Sequence, residues 1–286
     1  YVPEGGPGTD EDPTLRAIDL ETGDAVFREP IGGIATVVVA TMLLRRRKVT
    51  PKVRLAFLVG GVLVFGFAFD AIVPAGRNPN PVASLRTLLS AFLVQGRIVA
   101  PIAATLVVLL AAVWVSNKSI CGWACQLGLL QDLLHRVKLP TWEPPFWLAN
   151  GVRILAFLGL VGGLAVAEMD WIGVIDPFQL FSFNLAWPVA AFLAALLAAS
   201  LFVYRPWCRF LCPFGLVGWL LEQVSLMRPR IDRDACKACE LCVKACPTGA
   251  MGDFYDDAGM HADCYACGAC IEACPQDEAL AWRAKV

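Results

Sequence analysis

Histidine is nearly absent from this 286-residue chain, which has only His135 and His261. Neither lies in an apolar stretch, so a haem held between membrane-embedded histidines is excluded from this chain, and both are expected on a solvated surface. Charge is also scarce: 17% of the residues are Asp, Glu, Lys or Arg, and the formal balance is −1. Such a balance leaves no electrostatic footprint for a nucleic-acid partner. No G-x-x-x-x-G-K-[ST] loop and no glycine fingerprint after a strand occurs, which removes nucleotide sites of those kinds. Cysteine is missing everywhere except in four short motifs that hold all twelve, with none left for ordinary core packing.

Apolar residues make up 57% of the chain, and the mean hydropathy is +0.60. A soluble domain averages about 45–50% apolar and about 25% charged. Nine tryptophans suit the interfacial belts of a membrane protein. Residues 1–30 read as a polar arm. Apolar stretches follow at 31–44, 53–73, 98–116, 147–167 and 187–204. A span needs roughly 17–25 such residues, so the first stretch is short.

Cations set the orientation. The loop after the first stretch carries Arg45, Arg46, Arg47, Lys48, Lys52 and Arg54, whereas 168–186 has none and carries Glu168, Asp170 and Asp176. By the positive-inside rule the first loop is cytoplasmic and the second is outside. Five spans then place the N-terminus outside and everything after Tyr204 inside. Arg77, Arg86 and Arg97 conflict with this by falling on the outer side, and "SLRTLLSAFLV" is read there as an interfacial helix. Asp70, Glu168, Asp170 and Asp176 cluster near the outer face and are read as solvated loop residues, the alternative being the proton or ligand path that acids at membrane depth often mark.

The C-terminal part contains "CKACELCVKACP" and "CYACGACIEACP". Each is C-x2-C-x2-C-x3-C-P, in which three thiolates hold one [4Fe–4S] cube and the fourth reaches the other. Cys236, Cys239, Cys242 and Cys274 are therefore assigned to one cluster, and Cys264, Cys267, Cys270 and Cys246 to a second. Pro247 and Pro275 redirect the chain after each run. Zinc pairs normally lack the third and fourth cysteines at these offsets. The domain expected at 231–286 is small enough to need its clusters as staples, and loss of iron is expected to unfold it.

The remaining cysteines stand in "CGWACQLGLLQDLLHRVKL" and "CRFLCPFGLVGWLLEQVSL". At an offset of 87, Cys121 and Cys125 match Cys208 and Cys212. Gly128, Leu129, Leu133, Leu134, Val137 and Leu139 then match Gly215, Leu216, Leu220, Leu221, Val224 and Leu226, making eight identities in nineteen positions. Each repeat reads as two spans, C-x3-C and an amphipathic helix, over 53–139 and 147–226. Parallel repeats around an axis along the membrane normal bring the four thiols together near the cytoplasmic surface. The reducing cytosol argues against disulfides. In a helix, i and i+4 share a face, so each pair offers two sulfurs to one centre. Three readings stay open: a third iron–sulfur site, a site handling copper through soft sulfur ligands, or small buried packing residues.

Paired C-x3-C motifs ahead of a two-cluster ferredoxin run resemble the NapH/NosR/CcoG-like membrane polyferredoxins, over about 53–286. "CRFLCP" matches the family mark, while "CGWACQ" has Gln126 in place of proline. The fold expected is mainly α: a polytopic helical bundle of about five spans over 31–230, with a C-terminal α+β bacterial-type two-[4Fe–4S] ferredoxin domain. The resemblance implies a multi-pass subunit of the inner (cytoplasmic) membrane that relays electrons between quinone, or a membrane redox partner, and cytoplasmic-side clusters. It implies a larger quinol dehydrogenase-like complex with ferredoxin-like, cytochrome or flavoprotein subunits. No residue is assigned to the quinone or to catalysis. The alternatives are a CcoG-like copper-reducing assembly factor using the membrane-side thiols, and a redox-sensing regulator.

Overall fold

A computed structural model describes residues 23–68, 80–183 and 185–284. Most of the expected arm, together with Asp70 and Arg77, lies outside the described residues. Helix α1 (Gly23–Arg45) extends further towards the N-terminus than the first apolar stretch. It ends on Arg45, a cation suited to the negative end of the helix dipole. After a tight turn with Arg47 at φ 51°, Thr50 caps α2 (Pro51–Gly61) by accepting from Val53 N at 3.3 Å. The rod then continues as a π-helical segment, Val62–Ala68.

Helix α3 (Pro81–Gln95) forms where an interfacial helix was expected, between an Asn80 cap and Gly96 in the left-handed region at φ 64°. The first repeat ends with α4 (Ala100–Ser116), α5 (Ser119–Trp123) and α6 (Gln126–His135). The second comprises α7 (Phe146–Ala167), the single turn α8 (Trp171–Val174), α9 (Trp187–Phe202), a π-helical turn (Trp207–Leu211) and α10 (Pro213–Glu222).

Two helices, Pro51–Ala68 and Phe146–Ala167, are long and apolar enough to cross a membrane. Helices α4 and α9 have 17 and 16 residues, or about 24–26 Å at ~1.5 Å per residue. That falls short of a hydrocarbon core of about 30 Å. The apolar side chains face outward: Val166 is 88% exposed, Trp187 80% and Trp147 73%. Monomeric soluble proteins rarely leave a continuous surface of this kind uncovered.

Of the cations and acids expected at the outer face, Arg86, Asp170 and Asp176 meet. Arg86 on α3 pairs with Asp170 at 3.2 Å and Asp176 at 3.8 Å. Asp176 was expected to be solvated but is buried; it also accepts from Phe178 N at 3.0 Å. The ion pair explains both the burial and a cation on that side.

The two repeats pack reciprocally. Helix α6 lies against α2 of its own repeat and α9 of the other, and α10 lies against α7 of its own repeat and α4 of the other. The inner ends of both repeats thus converge on one core, which holds Cys121, Cys125, Cys208 and Cys212 among Leu58, Leu127, Trp207 and Phe214.

The C-terminal head is closed by β1 (Met227–Ile231) and β2 (Leu280–Ala284), paired antiparallel from Met227↔Ala284 to Ile231↔Leu280. Between them lie the short helices α11 (Leu241–Lys244), α12 (Ala250–Tyr255) and α13 (Ala269–Ala273). The head's core is not its own. Met251, Ala266, Ile271, Leu280 and Trp282 pack with Ala40, Leu44, Val49 and Trp123 from the helical half. Arg47 secures this contact, donating to the carbonyls of Ile271 and Cys274 at 3.0 Å each, and to that of Leu280. It also pairs with Asp277 at 3.3 Å, but Asp277 is 93% exposed.

Hydrogen bonds to a charged donor contribute about 1.5–3 kcal/mol, whereas exposed ion pairs contribute about 0–1 kcal/mol. Arg47→Ala is therefore expected to make the head several-fold more sensitive to limited proteolysis in detergent, while Asp277→Asn changes digestion little. Equal effects from the two variants would show that the ion pair, not the carbonyl clasp, holds the head.

Candidate metal centres

No disulfide joins any of the twelve cysteines. The four in the helical half are buried and occupy matched places. Cys121 lies in α5 and Cys208 in the π-helical turn, while Cys125 and Cys212 are the N-caps of α6 and α10. The expectation that each pair shares one helical face is thus corrected, because the helix breaks within each pair. Cys125 (φ −70°, ψ 110°) and Cys212 (φ −66°, ψ 115°) are extended. Pro213 enforces this after Cys212; Gln126, itself buried, follows the same path without that constraint. The break aims two helix N-termini at the second cysteine of each pair, where the dipole favours a thiolate. Cys212 Sγ accepts from Gly215 N at 3.2 Å.

Glycine is required three residues beyond each break. A Cβ at Gly128 would lie 2.8 Å from Cys121 O, and one at Gly215 2.6 Å from Cys208 O. Burial pushes the four thiols up, Cys208 to about 12. For Cys121, charge on Cys125, Cys208 and Cys212 adds to the effect, and thiols from both repeats share one packed core.

A shell of buried ions surrounds them, and none of its members was anticipated from the sequence. Lys118 and Arg205 stand at matched positions, each three residues before the first cysteine of its pair. Each reaches into the other repeat: Lys118 Nζ lies 3.5 Å from Glu222, and Arg205 NH2 lies 2.9 Å from Asp132. Asp132 also accepts from Arg54 at 2.8 Å and from Tyr204 Oη at 2.9 Å. Arg205 NH1 donates to Cys121 O at 2.6 Å, and Arg153 NH1 to Cys208 O at 3.1 Å. The head contributes Asp263, which accepts from Lys118 and from Arg153, the latter at 3.0 Å. Burial pushes the Glu222 carboxyl up, and Lys118 beside it pulls the other way.

Around the thiols, Arg54, Lys118, Arg153, Arg205 and Arg209 are thus buried with only three carboxylates, Asp132, Glu222 and Asp263. Buried charge is tolerated only when paired. Arg54 Nε, Arg205 Nε and Gln131 Nε2 are also buried without a partner among the described residues. Metal-bound thiolates supply negative charge and acceptor sulfurs of the kind this shell leaves unmet, so the residues fit an anionic thiolate centre.

In the head, one cavity is lined by Cys246, Cys264, Cys267 and Cys270, with Tyr204, Tyr265, Thr248 and Trp282. Cys236, Cys239, Cys242 and Cys274 do not line it. Charge on Cys274 and Cys236 adds to burial in raising Cys242. Cys239 is exposed, so this second group of thiols lies nearer solvent. Among the described residues, no three His, Cys, Asp or Glu side chains converge closely enough to hold one metal ion. A single ion takes thiolates at about 2.3 Å, whereas a cube spreads its ligands more widely.

The expectation of two solvated histidines needs correction. His261 is buried, 4.4 Å from the Phe254 ring, because Trp219 Nε1 and Gln223 Nε2 donate to its carbonyl at 2.9 and 3.1 Å. These contacts clamp its loop onto α10. His135 is half-buried against Tyr204.

A helical half with paired buried thiols, joined to a cysteine-rich head, defines an iron–sulfur, redox-related membrane protein. The family described as "4Fe-4S dicluster domain" matches residues 228–275, and "4Fe-4S binding domain" matches twice, at 97–148 and 185–232. Protein NirI of Paracoccus denitrificans is 28% identical over 73% of this chain and 32% of its own length. Regulatory protein NosR of Pseudomonas aeruginosa is 30% identical over 46% of this chain and 20% of its own. Putative electron transport protein YccM of Escherichia coli is 27% identical over 59% of this chain and 52% of its own. The chain therefore spans between a fifth and about half of these relatives. No solved structure matches. Across both C-x3-C segments and the cysteine-rich head, the chain is similar to membrane polyferredoxins of the NapH/NosR kind.

Removing one partner of a buried ion pair costs about 3–5 kcal/mol. Asp132→Asn is therefore expected to lower the unfolding temperature of the detergent-solubilised protein by several degrees. Burial raises this carboxyl, but Arg54 and Arg205 outweigh it and hold the pKa well below the usual range. A depressed carboxylate adds stability above its unfolded value of about 3.9, and that stability is lost as pH falls through the folded value. Wild type should lose thermal stability below about pH 4, and D132N should lack that part of the slope.

Proposed function

We propose that this chain is an electron-transfer subunit of a larger membrane oxidoreductase, passing single electrons between a membrane-side donor or acceptor and its iron–sulfur head. Cys236, Cys239, Cys242 and Cys274 hold one [4Fe–4S] cluster; Cys264, Cys267, Cys270 and Cys246 hold a second. Cys121, Cys125, Cys208 and Cys212 hold a third iron–sulfur centre between the repeats. Such clusters supply reversible one-electron chemistry, with potentials set by surrounding charge, hydrogen bonds and exposure. The chain's own residues do the rest. Arg54, Lys118, Arg153 and Arg205 offset negative charge near the thiols, the α6 and α10 N-termini favour thiolate at Cys125 and Cys212, and burial excludes water.

The carrying observation is that the four buried thiols of the helical half share one packed core with Tyr265, from the head's own cysteine loop. The matches of a 4Fe–4S binding family to both C-x3-C segments support the same reading. On this reading five spans over 31–230 carry the centres, Pro51–Ala68 and Phe146–Ala167 being long and apolar enough by themselves, with the head at 231–286 on the cytoplasmic side. The Arg47 clasp supports that side, since it ties the basic loop 45–54 to the head. Trp147 and Trp187, exposed at the starts of two helices that the five-span topology runs in opposite directions, suit two interfacial belts. The quinone and the flavoprotein, cytochrome or ferredoxin-like partners rest on the family resemblance. A redox-sensing regulator is the second reading, favoured by the name Regulatory protein NosR.

Anaerobically purified protein is expected to contain iron and acid-labile sulfide for three cubes. The double variant Cys121→Ser, Cys208→Ser should lose one cube's share and keep the ferredoxin-type EPR signals. Iron unchanged by the double variant would remove the third centre, and a colourless, iron-free wild type would overturn the whole reading.

A further inference from the structure

The helical half and the head touch where helix α5 meets the head's second cysteine loop backbone to backbone. Gly122 follows Cys121 directly, and Tyr265 follows Cys264. A Cβ built on Gly122 would lie 2.0 Å from Tyr265 O and 3.1 Å from its carbonyl carbon. Only glycine permits that approach, because a peptide backbone cannot swing aside as a side-chain end can. Next to it, Trp123 Nε1 donates to Ala266 O at 2.8 Å. Arg205 donates to Cys121 O at 2.6 Å while its guanidinium lies 4.9 Å from the Tyr265 ring centre. Lys118 Nζ is 4.7 Å from the same ring. Tyr265 is 3% exposed and belongs to the core that holds all four membrane-side thiols.

The contact is one-sided although the repeats are matched. At the offset of 87, Gly122 corresponds to Arg209 and Trp123 to Phe210. Arg209 NH2 donates to Pro144 O at 3.0 Å, a carbonyl of the helical half. The second repeat thus puts a long side chain where the first puts bare backbone.

We propose that Gly122 is a positioning residue for electron transfer. By letting the Cys121–Cys125 segment seat against the Cys264–Cys267 loop, it makes the first repeat the junction between the membrane-side centre and the Cys246/Cys264/Cys267/Cys270 cluster. This rests on the function proposed above. No bond forms or breaks and no proton moves at the junction. One electron leaves the centre on one side, which is oxidised, and reaches the centre on the other, which is reduced. Transfer in either direction uses the same contact.

The test is Gly122→Ala in the full-length protein, with Gly60→Ala as control because a Cβ at Gly60 meets nothing within 4 Å. Iron content and EPR spectra of the reduced protein are read together. Two paramagnetic centres at close range broaden each other's signals, and the effect falls steeply with distance. G122A is expected to keep its iron, lose the mutual broadening and equilibrate electrons between the centres several-fold more slowly; G60A should match wild type. Full iron with unchanged broadening and rate in G122A overturns the junction. A wild type with no third centre instead overturns the underlying function, so the two failures are distinguishable. Should G122A not fold, Trp123→Phe removes the bond to Ala266 O and keeps the ring; weaker broadening is expected, and unchanged broadening overturns the junction.

Discussion

Two crossed ion pairs, Lys118–Glu222 and Arg205–Asp132, bind the inner ends of the repeats to each other. Each cation stands just before a cysteine pair, and each anion sits on the helix that follows the pair in the other repeat. The thiols are therefore placed by charges that are themselves buried. Buried ion pairs add little net stability over apolar packing, but a missing partner is costly. The arrangement accordingly works by exclusion, because a shift of one repeat against the other strands cations away from water. Register between the repeats follows, and with it the spacing of the four sulfurs.

The same shell ties the helical half to the head. Asp263 meets Lys118 and Arg153, and Glu222 accepts from Cys264 N at 3.2 Å. One network thus touches both C-x3-C loops and the head's second cysteine run. Charges that steady the membrane-side thiols also fix the neighbouring loop. Electrostatics at the two places are coupled, and a change of charge at one is felt at the other through few intervening atoms.

Much of this was legible in the sequence, for reasons tied to spacing. The ferredoxin runs, the offset of 87 and the helix at 81–95 all carry local or periodic signatures. Gly128 and Gly215 appeared as identities, and the structure supplies their reason in the cysteine carbonyls they admit. The ion shell had no such signature, since its partners lie far apart in the chain and come from different repeats. A signal existed in the cations at 118 and 205, but Lys and Arg do not score as identical. The helix break after Cys212 was readable from Pro213, whereas Gln126 gave no hint of the matching break. Gly122 looked like any glycine until the backbone of Tyr265 was seen against it, and His261 looked solvated until its loop was found clamped to α10. The start of α1 was obscured by Asp24, Arg28, Glu29 and Pro30, which read as loop.

The head borrows Ala40, Leu44, Val49 and Trp123 to complete its interior. All four precede it in the chain, so during synthesis the ribosome delivers the landing platform before the piece that lands. Until that docking, the back of Trp282 and Leu280 faces water, and the nascent head is a sticky, half-finished object. Order of manufacture is thereby written into the architecture: helices first, then the cysteine-rich tail settling onto them.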